Sequence, residues 1–486
     1  MRRTSYLAII ISILAVAVRL ILIDQPFIDD WSWRQSDVGA IARNYFQGGF
    51  HFARPQIDWA GDQPGYVGTE LPVLPFLAAL CYKIFGVHEW IGRVQAIILF
   101  ALSLRFFFLL ARKTLGEIAA IWALFFYSFA PLGIMASRCF MPDIPSLALS
   151  IVGLYFFQQW LEDERSTSFF ISAVGISLSI LIKLPSAIIG APLICLAFQR
   201  FRFSASQRFD MWLFAMIALL PAAIWYGHAY QTSLQFYPYH FFGAGGIKLM
   251  SAAWYLKIAK EIPSLTLTQL LFVIGALGAL IAGSASRARL FHWWLAAMIL
   301  FIVIVGYGNR HPWYQLPLVP IFALFGGAGC AFIATKISGR AIQIALSVAV
   351  IALFAVPSFI YTRKFYEPAA ASLRGAGLVL KRHSPANTLI VAADNGDPTI
   401  FYYAERKGWH FLEADGIYNG EPVDSSQAVL DLENLRSRGA SYLIFTSNTS
   451  WWLDYYVELS QYVASNSTLV EANPEFKIYK LNPMSK

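Results

Sequence analysis

Apolar runs close to the length of a bilayer span recur between residues 6 and 361, with basic residues gathered at alternate ends. A helix needs about 20 apolar residues to cross the hydrocarbon of a membrane. In lipid every backbone N–H and C=O must be satisfied within the segment, so such runs fold as helices. Length and flanking charge together give about eleven spans. They are Tyr6–Ile23, Trp90–Leu110, Ile118–Ala136, Ile144–Leu161, Phe169–Ile182, Pro185–Phe198, Met211–His228, Leu265–Gly283, Leu290–Gly306, Trp313–Ala334 and Ala341–Tyr361. Arg2 and Arg3 put the start of the chain inside, and the alternation then places residues 24–89 and 229–263 in outer loops. Leu71–Phe85 is apolar but short and carries Pro72 and Pro75, which reads as a re-entrant or interface-lying helix.

The chain has 486 residues, of which 57% are hydrophobic and 14% charged. Its mean hydropathy is +0.53. A soluble protein of this size has no way to hide that much apolar surface. The net charge of +8 does not indicate nucleic acid, because most basic residues before residue 350 sit in short loops between apolar runs. Met1-Arg-Arg before an apolar run resembles a signal peptide, yet no small-x-small cleavage site follows, so it reads as an uncleaved first span. Cys81, Cys139, Cys195 and Cys330 form no CxxC pair. Cys81 and Cys139 are both expected outside, where pairing stays open.

The composition changes at Arg363. The first domain is taken as residues 1–362 and the second as 363–486. In the latter, Ala369–Arg382, Gln427–Arg438 and Trp452–Ser465 have helical patterns. Thr388–Ala393 and Ser441–Thr446 read as buried strands, and Thr468–Glu471 with Lys477–Leu481 as a hairpin. The expected fold is thus a polytopic α-helical membrane protein with a small C-terminal α/β domain on the extracytoplasmic side. Asp394-Asn-Gly-Asp397 ends a strand, where a ligand site and an ordinary turn are both open readings. No Walker A sequence, GxGxxG motif or internal repeat is present.

The densest polar stretch is Phe27-Ile-Asp-Asp-Trp-Ser-Trp-Arg-Gln-Ser-Asp37, directly after the first span. Val38–Phe46 continues it as a short helix ended by Gly48-Gly49. If Arg34 and Asp37 already belong to that helix, their i,i+3 spacing puts them on one face. An interfacial anchor, with indoles at headgroup depth and charges in water, is the plain alternative. What weighs against it is convergence: Asp29, Asp30, Arg34, Asp37, Glu70, Arg138, Asp143, Lys183, Arg310 and His311 all fall at the outer boundary. Ionisable groups beside hydrocarbon are costly and point to function, against the reading of a rim of unrelated snorkelled charges. Carboxylates beside cations suit glycosyl or phosphoryl chemistry, the acid taking a proton from a hydroxyl and the base holding a phosphate. The aromatic outer loop (Tyr230, Phe236, Tyr237, Tyr239, Phe241, Phe242, Trp254, Tyr255) suits a sugar ring or a lipid chain. The histidines His51, His88, His228, His240 and His311 are scattered and suggest no metal site.

These residues resemble a known group. Acidic residues ahead of Ile41-Ala-Arg-Asn-Tyr45, the Glu70-Leu-Pro-Val-Leu-Pro75 segment, Phe85-Gly86 to Gly92-Arg93, Met141-Pro-Asp143-Ile-Pro, Ile182-Lys183-Leu-Pro185 and Trp313-Tyr-Gln-Leu-Pro317 occur in the order seen in GT-C membrane glycosyltransferases. That superfamily includes the protein O-mannosyltransferases and the lipid A aminoarabinose transferases. Two departures are visible. Arg34 and Gln35 occupy the positions of an Asp-Glu pair common in relatives, leaving Asp37 one turn later or Asp30 one turn earlier as the acid. Leu71 replaces the lysine of the relatives' Glu-Lys-Pro-Pro-Leu segment, which passes donor-phosphate contacts to Arg34, Arg138 and Lys183.

The resemblance implies a polyprenyl-phosphate-linked sugar donor and inverting transfer to a cell-envelope acceptor (lipid, glycan or protein) on the outer face of a bacterial cytoplasmic membrane. Asp37, or Asp30, is expected as acid–base group, with Asp143 supporting the acceptor or the developing sugar charge. Arg34, Glu70, Arg138, Lys183, Arg310 and His311 are the expected donor-phosphate and substrate groups. No cofactor is required by the pattern, and a divalent cation held by outer carboxylates stays open. The rival classes are a polyprenyl-linked glycan flippase, for which mid-span charges are scarce (Arg105 is one), and a non-catalytic membrane scaffold.

Overall fold

A computed structural model describes residues 2–236, 247–283, 285–414, 417–418 and 420–483. Tyr237, Tyr239, His240, Phe241 and Phe242 lie outside the described residues. The chain forms two compact units. The first joins residues 1–23, 92–227 and 244–365; the second joins 24–91, 228–243 and 366–486. Residues 24–91 thus group with the C-terminal segment rather than with the spans on either side of them.

The first unit is helical. Its elements are α1 (Arg2–Leu20), most of α4 (Glu89–Leu115), α5 (Glu117–Phe129), α6 (Pro131–Ala136), α7 (Asp143–Asp163), α8 (Ser166–Ile182), α9 (Gly190–Phe201), most of α10 (Phe209–Gln235), α11 (Ala252–Glu261), α12 (Gln269–Ala282), α13 (Arg289–Val305), α14 (Leu318–Lys336) and α15 (Arg340–Lys364). Among the described residues seven helices are long and apolar enough to cross a membrane, or eight if a pair bent by 105° counts as one. Every expected span falls on a helix, but three fall on shorter ones: Thr4–Leu20, Glu117–Phe129 and Ser166–Ile182. The third expected span is broken where Ala130 turns extended before Pro131, which has no N–H to continue the ladder.

Small residues set the helix contacts. A Cβ on Gly278 of α12 would lie 1.8 Å from the Phe325 carbonyl oxygen of α14, so only glycine allows that approach. α7 and α8 pack against each other in the same way, with Gly153 against Ile176. Serines then tie the pair: Ser146 Oγ donates to the Ser179 carbonyl (2.7 Å), Ser179 Oγ to the Ser146 carbonyl (2.8 Å) and Ser172 Oγ to the Gly153 carbonyl (2.7 Å). Arg19, inside the first apolar run, is fully buried and satisfied, donating to Ser137 Oγ and to the Ala15 (2.7 Å) and Ser128 (3.0 Å) carbonyls.

The second unit combines α2 (Ser32–Gly48) and α3 (Val73–Phe85) with a C-terminal α/β domain. That domain runs α16 (Ala371–His383), β1 (Leu389–Ala393), α17 (Thr399–Ala404), β2 (Lys407–His410), β3 (Glu413–Ala414), β4 (Ile417–Tyr418), α18 (Ser425–Ser437), β5 (Ala440–Thr446), α19 (Trp452–Tyr455), α20 (Val457–Asn466), β6 (Ser467–Ala472) and β7 (Phe476–Leu481). The main sheet has the order β2-β1-β5-β7-β6, with β1 parallel to β2 and β5, and β7 antiparallel to β5 and β6. Apolar clusters around Trp409, Leu443 and Trp452 and around Ile390, Ile400 and Ile444 bury its residues. Residues 58–61 cover the free edge of β2: Gly61 N–H donates to the Gly408 carbonyl (2.7 Å) and Gly408 N–H to the Asp58 carbonyl (3.0 Å). α3 is too short to span; it buries Leu74, Ala78 and Tyr82 and exposes Leu77, Leu80 and Ile84.

Candidate functional site

Two polar clusters carry the expected site residues, one in each unit. In the second unit the cluster is built on α2. The helix starts at Ser32, so Arg34 and Asp37 are both helical and face the same way. It stops at Gly49, whose positive φ of 102° lets its N–H close on the Tyr45 carbonyl. Arg34 Nη1 donates to Asp37 Oδ2 (2.9 Å), and Arg34 Nη2 donates to Glu70 Oε1. The other Asp37 oxygen accepts from the Trp59 indole N–H (3.1 Å). Thr69 Oγ1 donates to the second Glu70 oxygen (2.8 Å). Asp37 is buried, with its carboxylate fixed from both sides.

Asp30 differs. It precedes the helix, is exposed, and makes no hydrogen bond among the described residues. Desolvation by neighbouring protein, and then the charge of Asp29, raise its pKa. Asp29 is tied up by the Gln35 side chain (2.8 Å) and the Trp31 N–H (3.0 Å).

The C-terminal domain props α2. A Cβ on Gly39 would sit 2.9 Å from the Phe27 ring and 3.1 Å from Tyr402 of α17. Arg43 bridges from α2 to the Tyr402 carbonyl and to Asp58. Ser32 Oγ donates to Asp397 (2.9 Å) and Ser36 Oγ meets Thr399 Oγ1 (3.1 Å). The Asp394–Asp397 segment is a turn, with Asp394 Oδ1 accepting the Gly396 N–H (3.0 Å). That oxygen also meets His410 Nδ1 (2.7 Å), and the His410 ring lies 5.0 Å from Trp59. Burial, offset in part by His410, raises the pKa of Asp394.

In the first unit the cluster sits at one end of the α7–α8 hairpin. Asp143 is the first residue of α7 and Lys183 caps α8, and the serine and glycine contacts bring those ends together. Lys183 Nζ donates to Asp143 Oδ1, and the same ammonium lies 4.5 Å from the centre of the Tyr314 ring. A narrow cavity of about 30 Å³ beside the pair is lined further by Ser150, Ser186, Trp294 and Trp313. His311 stacks on Trp313 (4.5 Å), and Arg310 lies over the Tyr307 ring (4.6 Å). Arg138 is buried and donates to the Leu22 carbonyl (2.8 Å), at a place where the last carbonyls after α1 lack helical partners.

No group of three or more His, Cys, Asp or Glu side chains among the described residues is placed to hold a metal ion. Between Asp37 and Glu70, where a divalent cation would bridge two carboxylates, the Arg34 guanidinium is bonded to both. All four cysteines are free thiols. Sequence reasoning missed Trp59, Arg43, Asp58 and His410; their partners are distant in the chain, and no spacing signals them.

Residues 62–225 match the family model described as dolichyl-phosphate-mannose-protein mannosyltransferase. No curated protein matches the sequence. The apo crystal structure of ArnT from Cupriavidus metallidurans is similar with a TM-score of 0.70 at 15% identity, covering 99% of this chain and 98% of that one. ArnT from the same organism bound to undecaprenyl phosphate gives 0.68 at 13% identity, over 97% of each chain. The apo oligosaccharyltransferase of Archaeoglobus fulgidus gives 0.63 at 13% identity, covering 99% of this chain and 74% of that one. The chain therefore shares the fold of these structures, with the small C-terminal sheet domain included in the match.

Proposed function

We propose that this GT-C chain transfers a sugar, hexosyl or pentosyl, from a polyprenyl-phosphate carrier to a cell-envelope acceptor on the outer face of a bacterial cytoplasmic membrane. Likeness in fold to an ArnT that binds undecaprenyl phosphate supports a carrier of that chemistry. The observation that carries the reading is Asp37: a buried carboxylate, held on one oxygen by Arg34 and on the other by Trp59, and so aimed rather than free to rotate.

The acceptor hydroxyl attacks the anomeric carbon, and its proton passes to Asp37 as the new C–O bond forms. The sugar–phosphate bond breaks and the carrier leaves as polyprenyl phosphate, so the anomeric centre inverts. Asp30, exposed and with its pKa raised, is the alternative base. Glu70 fixes Arg34, which fixes Asp37. Lys183 meets the leaving phosphate by exchanging Asp143 for it, which frees the Asp143 carboxylate to face the positive charge that develops on the sugar. His311, stacked on Trp313 of that cavity, and Arg310, its neighbour in the chain, contact the donor. Arg138 has bonds to the backbone after α1, so its part in phosphate binding is secondary to that of Lys183. The C-terminal domain lies on the extracytoplasmic side.

The test is transfer in reconstituted liposomes with short-chain polyprenyl-phosphate sugars and cell-envelope acceptor, comparing wild type with Asp37→Asn, Asp30→Asn and Asp143→Asn. Turnover by wild type and its loss in Asp37→Asn, with Asp30→Asn active, is expected. Transport of label across the bilayer without a new glycosidic bond would instead assign a flippase.

A further inference from the structure

Arg105 is a charge within a span that the proposed transfer does not use. It lies ten residues before the end of α4, about 15 Å at the helical rise, within a helix long and apolar enough to span a membrane. It is exposed, and among the described residues it makes no hydrogen bond, ion pair or ring contact. Arg19 shows how this fold treats an arginine kept for structure: it is buried and has three hydrogen-bond partners. Arg105, on an apolar span, has no such set of partners, and a charge so placed marks a ligand contact.

Arg105 lines a cavity of about 390 Å³. One wall is a cluster of rings, with Phe106 5.4 Å from Tyr155 and 5.3 Å from Phe156. Leu109 and Ile171 extend the apolar surface, and Thr167 and Ser168 add hydroxyls. Arg165 supplies a second guanidinium at the rim. The one carboxylate there, Asp163, is turned to Arg165, at 3.7 Å from its Nε and 3.1 Å from its N–H. Lys113, which pairs with Glu162 (2.7 Å), stands beside Gln159 at the same end. The cavity thus offers an anion the Arg105 guanidinium, with that of Arg165 at the rim in loose contact with Asp163, and offers a hydrocarbon aromatic and aliphatic walls. By the distribution of basic residues this end faces the cytoplasm.

We propose that this cavity binds an anionic phospholipid of the inner leaflet, its phosphate on Arg105 and Arg165 and its glycerol and upper acyl carbons on the Phe106–Tyr155–Phe156 wall. A free phosphate shares the headgroup chemistry but has no use for the apolar wall. The site is separate from Asp37, Asp143 and Lys183, and stands whether or not sugar transfer does.

The experiment is native mass spectrometry of the full-length protein in neutral detergent, titrated with dioctanoyl phosphatidylglycerol, dioctanoyl phosphatidylcholine or inorganic phosphate. Wild type should retain phosphatidylglycerol with a preference of about tenfold over phosphatidylcholine, Arg105→Gln should lose that preference, and Arg105→Lys, charged but without the fork, should fall between them. Sugar transfer by Arg105→Gln in lipid-free detergent should equal that of wild type. Equal retention by wild type and Arg105→Gln overturns the proposal. So does displacement of the lipid by an equal concentration of inorganic phosphate, which would make the site one for the free anion. Should Arg105→Gln fail to fold, Arg165→Gln replaces it, and unchanged lipid preference in that variant is equally fatal.

Discussion

The Asp143–Lys183 pair and the Asp37–Arg34–Glu70 cluster are both buried acid–base contacts, yet they are built in opposite ways. The first joins the two ends of one helical hairpin. Its partners are 40 residues apart and equidistant from the turn at Asp163, so the antiparallel pairing of α7 and α8 alone brings them together. The second needs α2, the loop from Asp58 to Glu70 and, behind them, a domain that begins more than 300 residues later. A contact made by neighbours tolerates loss of distant parts. A contact made by strangers fails with any of them. The first kind can exchange partners, which the role proposed for Lys183 requires; the second is braced against movement, which suits the role proposed for Asp37.

Removing residues 366–486 is the harshest way to break this comparison. It takes away Tyr402, Asp397 and Thr399, on which α2 rests, and should abolish transfer by unfolding the outer segment. Protease protection of 24–91 should vanish while the α7–α8 hairpin stays resistant; survival of both would show that α2 stands alone. Asp37→Asn keeps the shape and should lower kcat by about 10²–10⁴-fold with an unchanged melting temperature. Lys183→Gln should raise the donor KM by about tenfold or more and destabilise the fold by about 3–5 kcal/mol, because Asp143 is left buried and unpaired. Adding Asp143→Asn should restore the stability and leave the activity low. Trp59→Phe removes only the indole N–H from Asp37, a bond to a charged group worth about 1.5–3 kcal/mol, and should cut kcat by about tenfold without moving the donor KM.

The smallest expected effect is on pH. In the C-terminal domain burial, together with nearby Asp431 and against Arg438, pushes Glu413 up to about 7; burial pushes Asp431 up to about 6. Both folded-state values are above the unfolded ones, so the protonated forms favour the fold. That stability is complete below the unfolded carboxylate range and is lost as pH rises through about 6 to 7. Thermal unfolding of the domain, followed by its tryptophans, should therefore come several degrees higher at pH 5 than at pH 8. Glu413→Gln should flatten the difference. A melting temperature that rises over that interval contradicts it.

What could be read in advance follows the same division. Spans and turns depend on local pattern, and so Asp143 and Lys183 could be placed at one boundary from apolar length and flanking charge, though not as a pair. Three helices came out shorter than a full span, and the break at Ala130-Pro131 is a backbone event that hydropathy averages over. Arg19 went unnoticed because a single charge inside an apolar run says nothing of the carbonyls waiting for it. β2, with the sequence Lys407-Gly-Trp-His410, lacks β-branched residues and gains its place from β1 on one side and Asp58–Gly61 on the other. Nothing in the sequence around Trp59 marks it out. Its role comes from Asp37 and His410, and no spacing within the chain encodes either contact.

The strand-like pairing of residues 58–61 with β2 also sets a schedule. The outer segment leaves the ribosome early, but the edge it is to cover is made last. At ordinary elongation rates the wait is on the order of tens of seconds. Throughout it the backbone of residues 58–61 lacks its partner in β2. Until its own C-terminus arrives, that open backbone is an edge to which another chain can pair.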